Sequence, residues 1–187
     1  MAEEVSKNSP TGERPARRRW ELWLAVPVVL TLGFALFPRG SFPPLTRARF
    51  DEAKQRWQQH GPANYDIEIR VDGRQKANYA VSVRDGDVTA ATRDGSPLTQ
   101  RRTQDTWSVP GMFDTMRVDL ENIEKRTQGK ADASTPHVRA RVEFDTRLGY
   151  PKRFVRIEET KRDGNFEVYW EVTKLSEPAG DMSAEGK

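Results

Sequence analysis

Hydrophobic and polar positions alternate with a period of two in several short runs of this chain. Three runs, at 65–71, 77–83 and 88–92, are separated by Asp-Gly pairs, and three more follow at 138–144, 152–160 and 166–172. Such alternation is typical of strands with one buried face, and Asp-Gly pairs favour tight hairpin turns. In the run 152–160, Phe154, Val155 and Ile157 do not share one parity, which indicates either a bulge or a strand buried on both faces.

Two other segments place apolar residues at helical spacing. The first begins at Thr46, a good N-cap, with Leu45 and Phe50 spaced as a hydrophobic staple. It carries Phe50, Ala53 and Trp57 on one face and ends at His60-Gly61-Pro62, where we expect Gly61 to adopt a left-handed cap. The second runs from about Ser108, a plausible N-cap, to Arg126 and has an apolar stripe. That stripe consists of Phe113, Met116, Leu120 and Ile123.

The order of these elements predicts the fold class. We expect an α+β domain with the order α-βββ-α-βββ, in which about six strands form one antiparallel sheet and two helices pack on one of its faces. The stretch Pro97–Thr106 between the third strand and the second helix is polar and is predicted to be irregular.

A strongly apolar stretch, Leu22–Phe37, has sixteen residues without an ionisable group, in a chain whose mean hydropathy is −0.82. At about 1.5 Å per residue a helix there spans roughly 24 Å of a hydrocarbon layer about 30 Å thick. Aromatic residues at the interfaces extend such a span, here Trp20, Trp23 and Phe42. Basic residues are denser before the stretch, which predicts a cytoplasmic N-terminus and an extracytoplasmic domain at the inner membrane. The basic residues are Arg14, Arg17, Arg18 and Arg19 before it and Arg39 after it.

A cleaved secretory signal has the same arrangement of basic and apolar regions. Its cleavage requires small residues, for which Gly33-Phe34-Ala35 is the candidate, and large apolar residues surround it. A buried helix of a globular domain is a further alternative. We predict an uncleaved single-pass anchor: residues 1–19 form a cytoplasmic basic tail, 20–38 a transmembrane helix, 39–44 a linker, 45–175 the extracytoplasmic domain and 176–187 a disordered tail.

Composition and charge narrow the classes of partner. The chain has 31 Lys and Arg against 28 Asp and Glu, but residues 1–40 hold 6 and 4 of these, which leaves a net charge of +1 for the rest. A nearly neutral, mixed surface lacks the basic stripe that nucleic-acid binding needs. The absence of cysteine excludes disulfides and thiolate metal sites.

Several local strings together resemble a family of uncharacterised bacterial envelope domains, often found behind a signal or lipoprotein anchor. The resemblance covers roughly Phe50 to Val172 and implies a fold and an exported location, with no activity to carry over. Members often carry a cysteine pair or a lipidated cysteine, which this chain lacks. The strings are Asn64-Tyr65, Val81-Ser82-Val83 before Asp85-Gly86, Trp107-Ser108-Val109-Pro110 before Phe113, Val142-Glu143-Phe144-Asp145 and Leu148-Gly149-Tyr150-Pro151.

Few residues suggest a chemistry. His60 complements the dipole at a helix end, and His137 lies on a solvent-facing parity. Asp66 and Glu68 share a strand face about 7 Å apart, a spacing that paired carboxylates in a hydrolase could use. Asp85-Gly86-Asp87 resembles part of a calcium loop but lacks its other ligands, so a hairpin turn explains it better.

The string Leu148-Gly149-Tyr150-Pro151 is the most distinctive one. It predicts either a turn with Gly149 at positive φ and Tyr150 packed on the sheet edge, or a binding surface on a rigid support.

We therefore expect a membrane-anchored binding or assembly module without catalytic residues, metal or cofactor. Its partners would be membrane lipid through the N-terminal helix and an envelope protein or a modest apolar ligand, with no nucleic acid. The alternative is an envelope hydrolase that uses surface carboxylates or His137. Candidate contact residues are Leu148, Tyr150 and Trp107, and candidate anchor residues are Trp20, Trp23, Arg17, Arg18 and Arg19.

Overall fold

A computed structural model of the chain describes residues 42–160 and 164–178. In this part of the chain there are three helices and seven strands. Their order is α1 (Arg47–His60), β1 (Tyr65–Gly73), β2 (Ala77–Arg84), β3 (Asp87–Arg93), β4 (Ser96–Pro97), α2 (Arg101–Thr106), α3 (Val109–Thr127), β5 (His137–Phe144), β6 (Pro151–Thr160) and β7 (Gly164–Ser176).

All seven strands belong to one antiparallel sheet in the order β4-β3-β2-β1-β7-β6-β5. The two meanders join where β1 pairs with β7, so the first and last strands of the domain lie side by side at its centre. The α+β class and the continuous antiparallel sheet are therefore as predicted.

Side chains from α1, α3 and one face of the sheet form the main hydrophobic core. Phe50 of α1 and Phe113 of α3 meet edge to face with ring centroids 5.6 Å apart, above the buried residues Ile67, Ile69 and Val142 of the sheet. The period-two runs place their apolar residues on this face because successive strand residues point to opposite sides. Aromatic and aliphatic burial of this kind is the main source of stability in such a domain.

The structure corrects the predicted number of elements. A two-residue strand, β4, and a short helix, α2, occupy the stretch Pro97–Thr106 that was predicted to be irregular, and they raise the strand number from about six to seven. Both are too short to produce a periodic signal. In β3 the pairing register shifts opposite Ser82/Val83. Ala91 is therefore buried, whereas Ala90, which the alternation at 88–92 predicted on the buried face, is exposed.

The irregular parity of β6 reflects burial on both faces. Phe154 packs against Trp170 in the main core, whereas Val155 joins Phe42 and Tyr169 in a small cluster on the other face. Phe42 was predicted to flank the membrane span and residues 39–44 to form a linker. Instead Phe42 is buried under Arg153, whose guanidinium lies 4.6 Å from its ring centroid. An exposed aromatic ring gains more by covering this apolar patch of the sheet than by remaining in a linker.

The predicted membrane anchor, including Trp20, Trp23 and Arg17, Arg18 and Arg19, lies outside the described residues, as do residues 179–187. Among the residues that the structure does describe, no helix is long and apolar enough to cross a membrane.

Candidate functional site

A cleft of about 400 Å³ opens where α1 ends, α3 begins and the β2–β3 hairpin turns. We call it the aromatic cleft, because three of its lining residues are Trp57, Tyr65 and Phe113. The other lining residues are Lys54, Gln58, Gly61, Pro62, Ala63, Val83, Gly86, Pro110 and Asp114.

The wall of the aromatic cleft on the α1 side is Trp57, held by the chain reversal after the helix. The Gly61 N–H donates to the Trp57 carbonyl at 2.7 Å, and a Cβ on Gly61 would lie 2.6 Å from the Trp57 ring. Gly61 has φ −70° and ψ 137°, so the predicted left-handed cap is wrong. Glycine is required here because the backbone passes directly against the indole, and not because of its φ.

Tyr65, the first residue of β1, contributes a buried ring. It meets Trp57 edge to face at 5.4 Å, and its hydroxyl accepts a hydrogen bond of 3.1 Å from the Val109 N–H. Burial raises the pKa of Tyr65 to about 12, so the phenol is neutral at physiological pH. The side chain thus links the floor of the cleft to the first residue of α3.

The start of α3 forms the third wall. Ser108 is the N-cap, as predicted, and its hydroxyl oxygen accepts a hydrogen bond from the Gly111 N–H. Val109 donates to Tyr65, and Pro110 has no N–H to offer. The first backbone donors of this helix are therefore already used, so its N-terminus does not provide the anion site that free helix ends can form.

Phe113 is held in place by two other rings. It packs against Phe50 and stacks on Phe144, with centroids 6.0 Å apart for the second pair. Because Trp57, Tyr65 and Phe113 are each fixed by ring contacts or hydrogen bonds, the walls of the cleft are preorganised.

The polar groups of the cleft come from Lys54, Gln58 and Asp114. One ammonium and one carboxylate leave the lining without net charge, and three aromatic side chains stand beside them. This arrangement favours an apolar ligand with a polar edge. None of the lining residues is a histidine, serine or threonine, so the cleft presents no serine or threonine nucleophile paired with a histidine.

The Leu148-Gly149-Tyr150-Pro151 turn supports this cleft from behind. Gly149 has φ +86°, as predicted, and a Cβ there would collide with the Ala53 carbonyl oxygen. Tyr150 is half-buried, and its ring lies 6.4 Å from that of Trp57. Leu148 is buried. Tyr150 therefore touches a wall of the cleft without lining it, and Leu148 belongs to the packing beneath.

Trp107, the third predicted contact residue, lies elsewhere. Its ring stacks on that of Tyr79 at 4.2 Å, between the end of α2 and β2, and it does not line the aromatic cleft. The structure thus connects Tyr150 with the cleft and keeps Trp107 apart. Trp57, Tyr65 and Phe113 were predicted from their spacing as core residues. The signal that could have marked the cleft is the large Trp57 followed four residues later by Gly61-Pro62.

The groups considered for hydrolysis each contact another side chain, and His137 lies on a different strand from the two carboxylates. Asp66 binds Arg84 at 2.9 Å, and its pKa is lowered by hydrogen bonding from Ser82 and Arg84. Glu68 lies 3.5 Å from Lys174. His137 of the edge strand β5 contacts Glu159 of β6 at 2.7 Å. Within residues 42–160 and 164–178, no group of three or more His, Asp or Glu side chains could hold a metal ion.

Comparison with known proteins gives a match over most of the domain. Residues 49–177 match the family of unknown function DUF6174, in agreement with the predicted resemblance to an uncharacterised domain family. No curated protein and no solved structure matches this chain.

Proposed function

We propose that this chain, which belongs to the family of unknown function DUF6174, is a binding module that holds a small, mostly apolar ring compound in the aromatic cleft. The family match spans every residue that lines the cleft. The observation that carries the proposal is the convergence of Trp57, Tyr65 and Phe113 on one preformed space of about 400 Å³.

The size and chemistry of this space support the proposal. Ligand pockets are typically about 300–1,000 Å³ and combine apolar walls with a few polar groups. Aromatic walls bind flat rings through stacked and edge-to-face contacts. Lys54 and Asp114 can each meet a polar substituent at the edge of such a ring.

The predicted anchor supports a location for this activity. An N-terminal transmembrane helix at residues 20–38 would hold the domain at the outer surface of the inner membrane. The aromatic cleft would then be accessible to molecules of the cell envelope.

Calorimetry with naphthalene derivatives tests the proposal on the full-length chain in nanodiscs of zwitterionic lipid. The probes are 2-naphthoate, 2-naphthol and 2-naphthylmethylammonium, which share a ring and differ in charge. Empty nanodiscs give the background from partition into lipid. We expect saturable binding to the wild-type protein.

The decisive variant is Ala63→Phe, because Ala63 is an exposed residue of the cleft lining and a benzyl group there would take up part of the space. Its matched control is Ala90→Phe, at an alanine of β3 that is also exposed and lies outside the cleft. We expect Ala63→Phe to weaken binding by about tenfold or more, and Ala90→Phe to leave it unchanged. Equal affinities of the two variants would refute the proposal.

A further inference from the structure

The two edges of the seven-stranded sheet differ in how they are protected. At one edge, β4 has only two residues and one of them is Pro97. Short strands and proline are common devices against pairing with another chain. At the other edge, β5 has eight residues without glycine or proline. Within the described residues, this edge is covered along only part of its length.

The covered part is the half of β5 near Val142. The Val142 N–H donates to the Pro43 carbonyl, and the Leu45 N–H donates to the Ala140 carbonyl, both at 3.0 Å. Pro44 forms an antiparallel bridge with Arg141. The segment 43–45 therefore acts as a short extra strand before the chain turns away into α1.

The uncovered part is the half of β5 near Val138. Backbone groups of every second residue in a strand face the same side, so those of Val138 point outward as those of Ala140 and Val142 do. Among the described residues, the Val138 N–H and C=O have no hydrogen-bond partner. A donor and an acceptor are thus presented in the geometry that a further strand needs.

A groove of about 240 Å³ accompanies this free edge, and we call it the β5 groove. Leu45, Ile123 and Val138 line it on the helix side of the sheet, and Val155 and Ile157 line it on the opposite side. An added strand would send alternate side chains to these two sides.

The charged residues of the β5 groove are both arginines, Arg139 and Arg141. The Arg139 side chain is 63% exposed although it contacts Glu159, and Arg141 uses one N–H for the Phe42 carbonyl. Both guanidiniums keep donors for an incoming carboxylate. A second copy pairing through the same edge would bring arginines of the two copies together, which disfavours self-association.

We propose that the free half of β5 binds an extended segment of a partner protein, four or five residues long, that alternates apolar and acidic side chains. Its apolar residues lie opposite Val138 and on the helix side, and their backbone groups pair with those of Val138. Its acidic residues lie on the side of Arg139 and Arg141. This interface is separate from the aromatic cleft and does not depend on it.

Fluorescence anisotropy with short peptides tests this interface on the full-length chain in zwitterionic nanodiscs. The probe is fluorescein-labelled Glu-Val-Glu-Val-Glu-amide, and the charge control is the Lys-Val-Lys-Val-Lys analogue. We expect the acidic peptide to bind and the basic one not to bind. Arg139→Glu combined with Arg141→Glu should weaken binding by about fivefold to tenfold. Arg101→Glu, at an 85% exposed arginine of α2, is the matched control and should leave binding unchanged.

N-methylated peptides separate strand addition from simple charge attraction. Methylation of the two valine nitrogens removes the donors that face Val138 and should abolish binding, whereas methylation of glutamate nitrogens should have a smaller effect. The proposal would be overturned if the two methylations reduced peptide affinity equally, if the double arginine variant bound the acidic peptide as the wild type does, or if no peptide bound. If the protein dimerised without peptide and the double arginine variant did not, a second copy of the chain would be the occupant of the free half of β5. That result would also overturn the proposal.

Discussion

The hydrogen bond between Tyr65 and α3 offers the sharpest test of how the aromatic cleft is built. Tyr65→Phe removes only the hydroxyl, which accepts the Val109 N–H at 3.1 Å. Both residues are buried, with Tyr65 at 2% and Val109 at 0% exposure. A buried donor left without a partner costs about 1–3 kcal/mol, and the loss of a buried hydroxyl recovers part of this. We therefore expect the free energy of unfolding to fall by about 1–2 kcal/mol at pH 7.

The same variant changes how the free energy of unfolding depends on pH in the alkaline range, because burial raises the pKa of Tyr65 to about 12. The phenol of the unfolded chain ionises near pH 10, so the unfolded state releases its proton first as the pH rises. Stability should fall between pH 10 and pH 12, by up to about 2.7 kcal/mol from this group. The pKa of Tyr169 is also raised to about 12, so both tyrosines make the free energy of unfolding fall with pH in this range. Tyr65→Phe should remove roughly half of their combined slope.

Urea unfolding followed by tryptophan fluorescence at pH 7, 10 and 11 measures both effects. Tyr79→Phe is the control, because its ring is partly buried against Trp107 and it lies outside the cleft. We expect it to change the midpoint less than Tyr65→Phe does. If Tyr65→Phe left the midpoint and the alkaline slope as in the wild type, the assigned role of the hydroxyl would be refuted.

Two further predictions concern a close backbone contact at Gly149 and the buried carboxylate of Asp119. Gly149→Ala should lower the free energy of unfolding, measured in urea, by more than about 1 kcal/mol, because the residue has φ +86° and its new Cβ would collide with the Ala53 carbonyl oxygen. Gly129→Ala is the control and should cost less, since Gly129 has φ +68° but open space around it. Equal losses of stability in the two variants would contradict the collision at Gly149. Asp119 is 4% exposed with Oδ2 unpartnered in the described part of the chain, and burial raises its pKa despite the 2.9 Å contact with Arg156. Its contribution to stability is present below pH 3.8 and is lost as the pH rises through the raised pKa. The stability of the wild type relative to Asp119→Asn should therefore decline as the pH rises above about 4, and a difference that grows with pH would contradict it.

Much of the fold was predictable because its signals are local. Period-two runs, Asp-Gly turns at positive φ and the Ser108 cap each depend on a few neighbouring residues, and these features agree with the structure. The elements that sequence reasoning missed are β4 and α2, which are too short for periodicity and form by packing on β3. The burial of Phe42 was missed because its partners, Val155 and Tyr169, are more than a hundred residues away.

The aromatic cleft was less predictable than the fold. The spacing of Trp57 and Phe113 indicated that they face the interior, but not that a space remains between the helix ends. That space depends on how α1, β1 and α3 meet, and no local pattern reports it. Gly61 illustrates the difficulty: the sequence predicted a left-handed cap there, which is wrong, and only the position of the Trp57 ring explains why this residue is glycine.

The indole signals of the tryptophans test most directly whether the aromatic cleft binds a flat apolar ring. Isotope-labelled full-length protein in nanodiscs is titrated with 2-naphthoate while the indole N–H resonances are recorded. Binding in the cleft predicts a saturable shift of the Trp57 resonance, with Trp107 and Trp170 unmoved, since Trp57 alone of these three lines the cleft. A saturable shift of Trp107 without one of Trp57, or no shift of Trp57 up to the solubility limit of the probe, would contradict it.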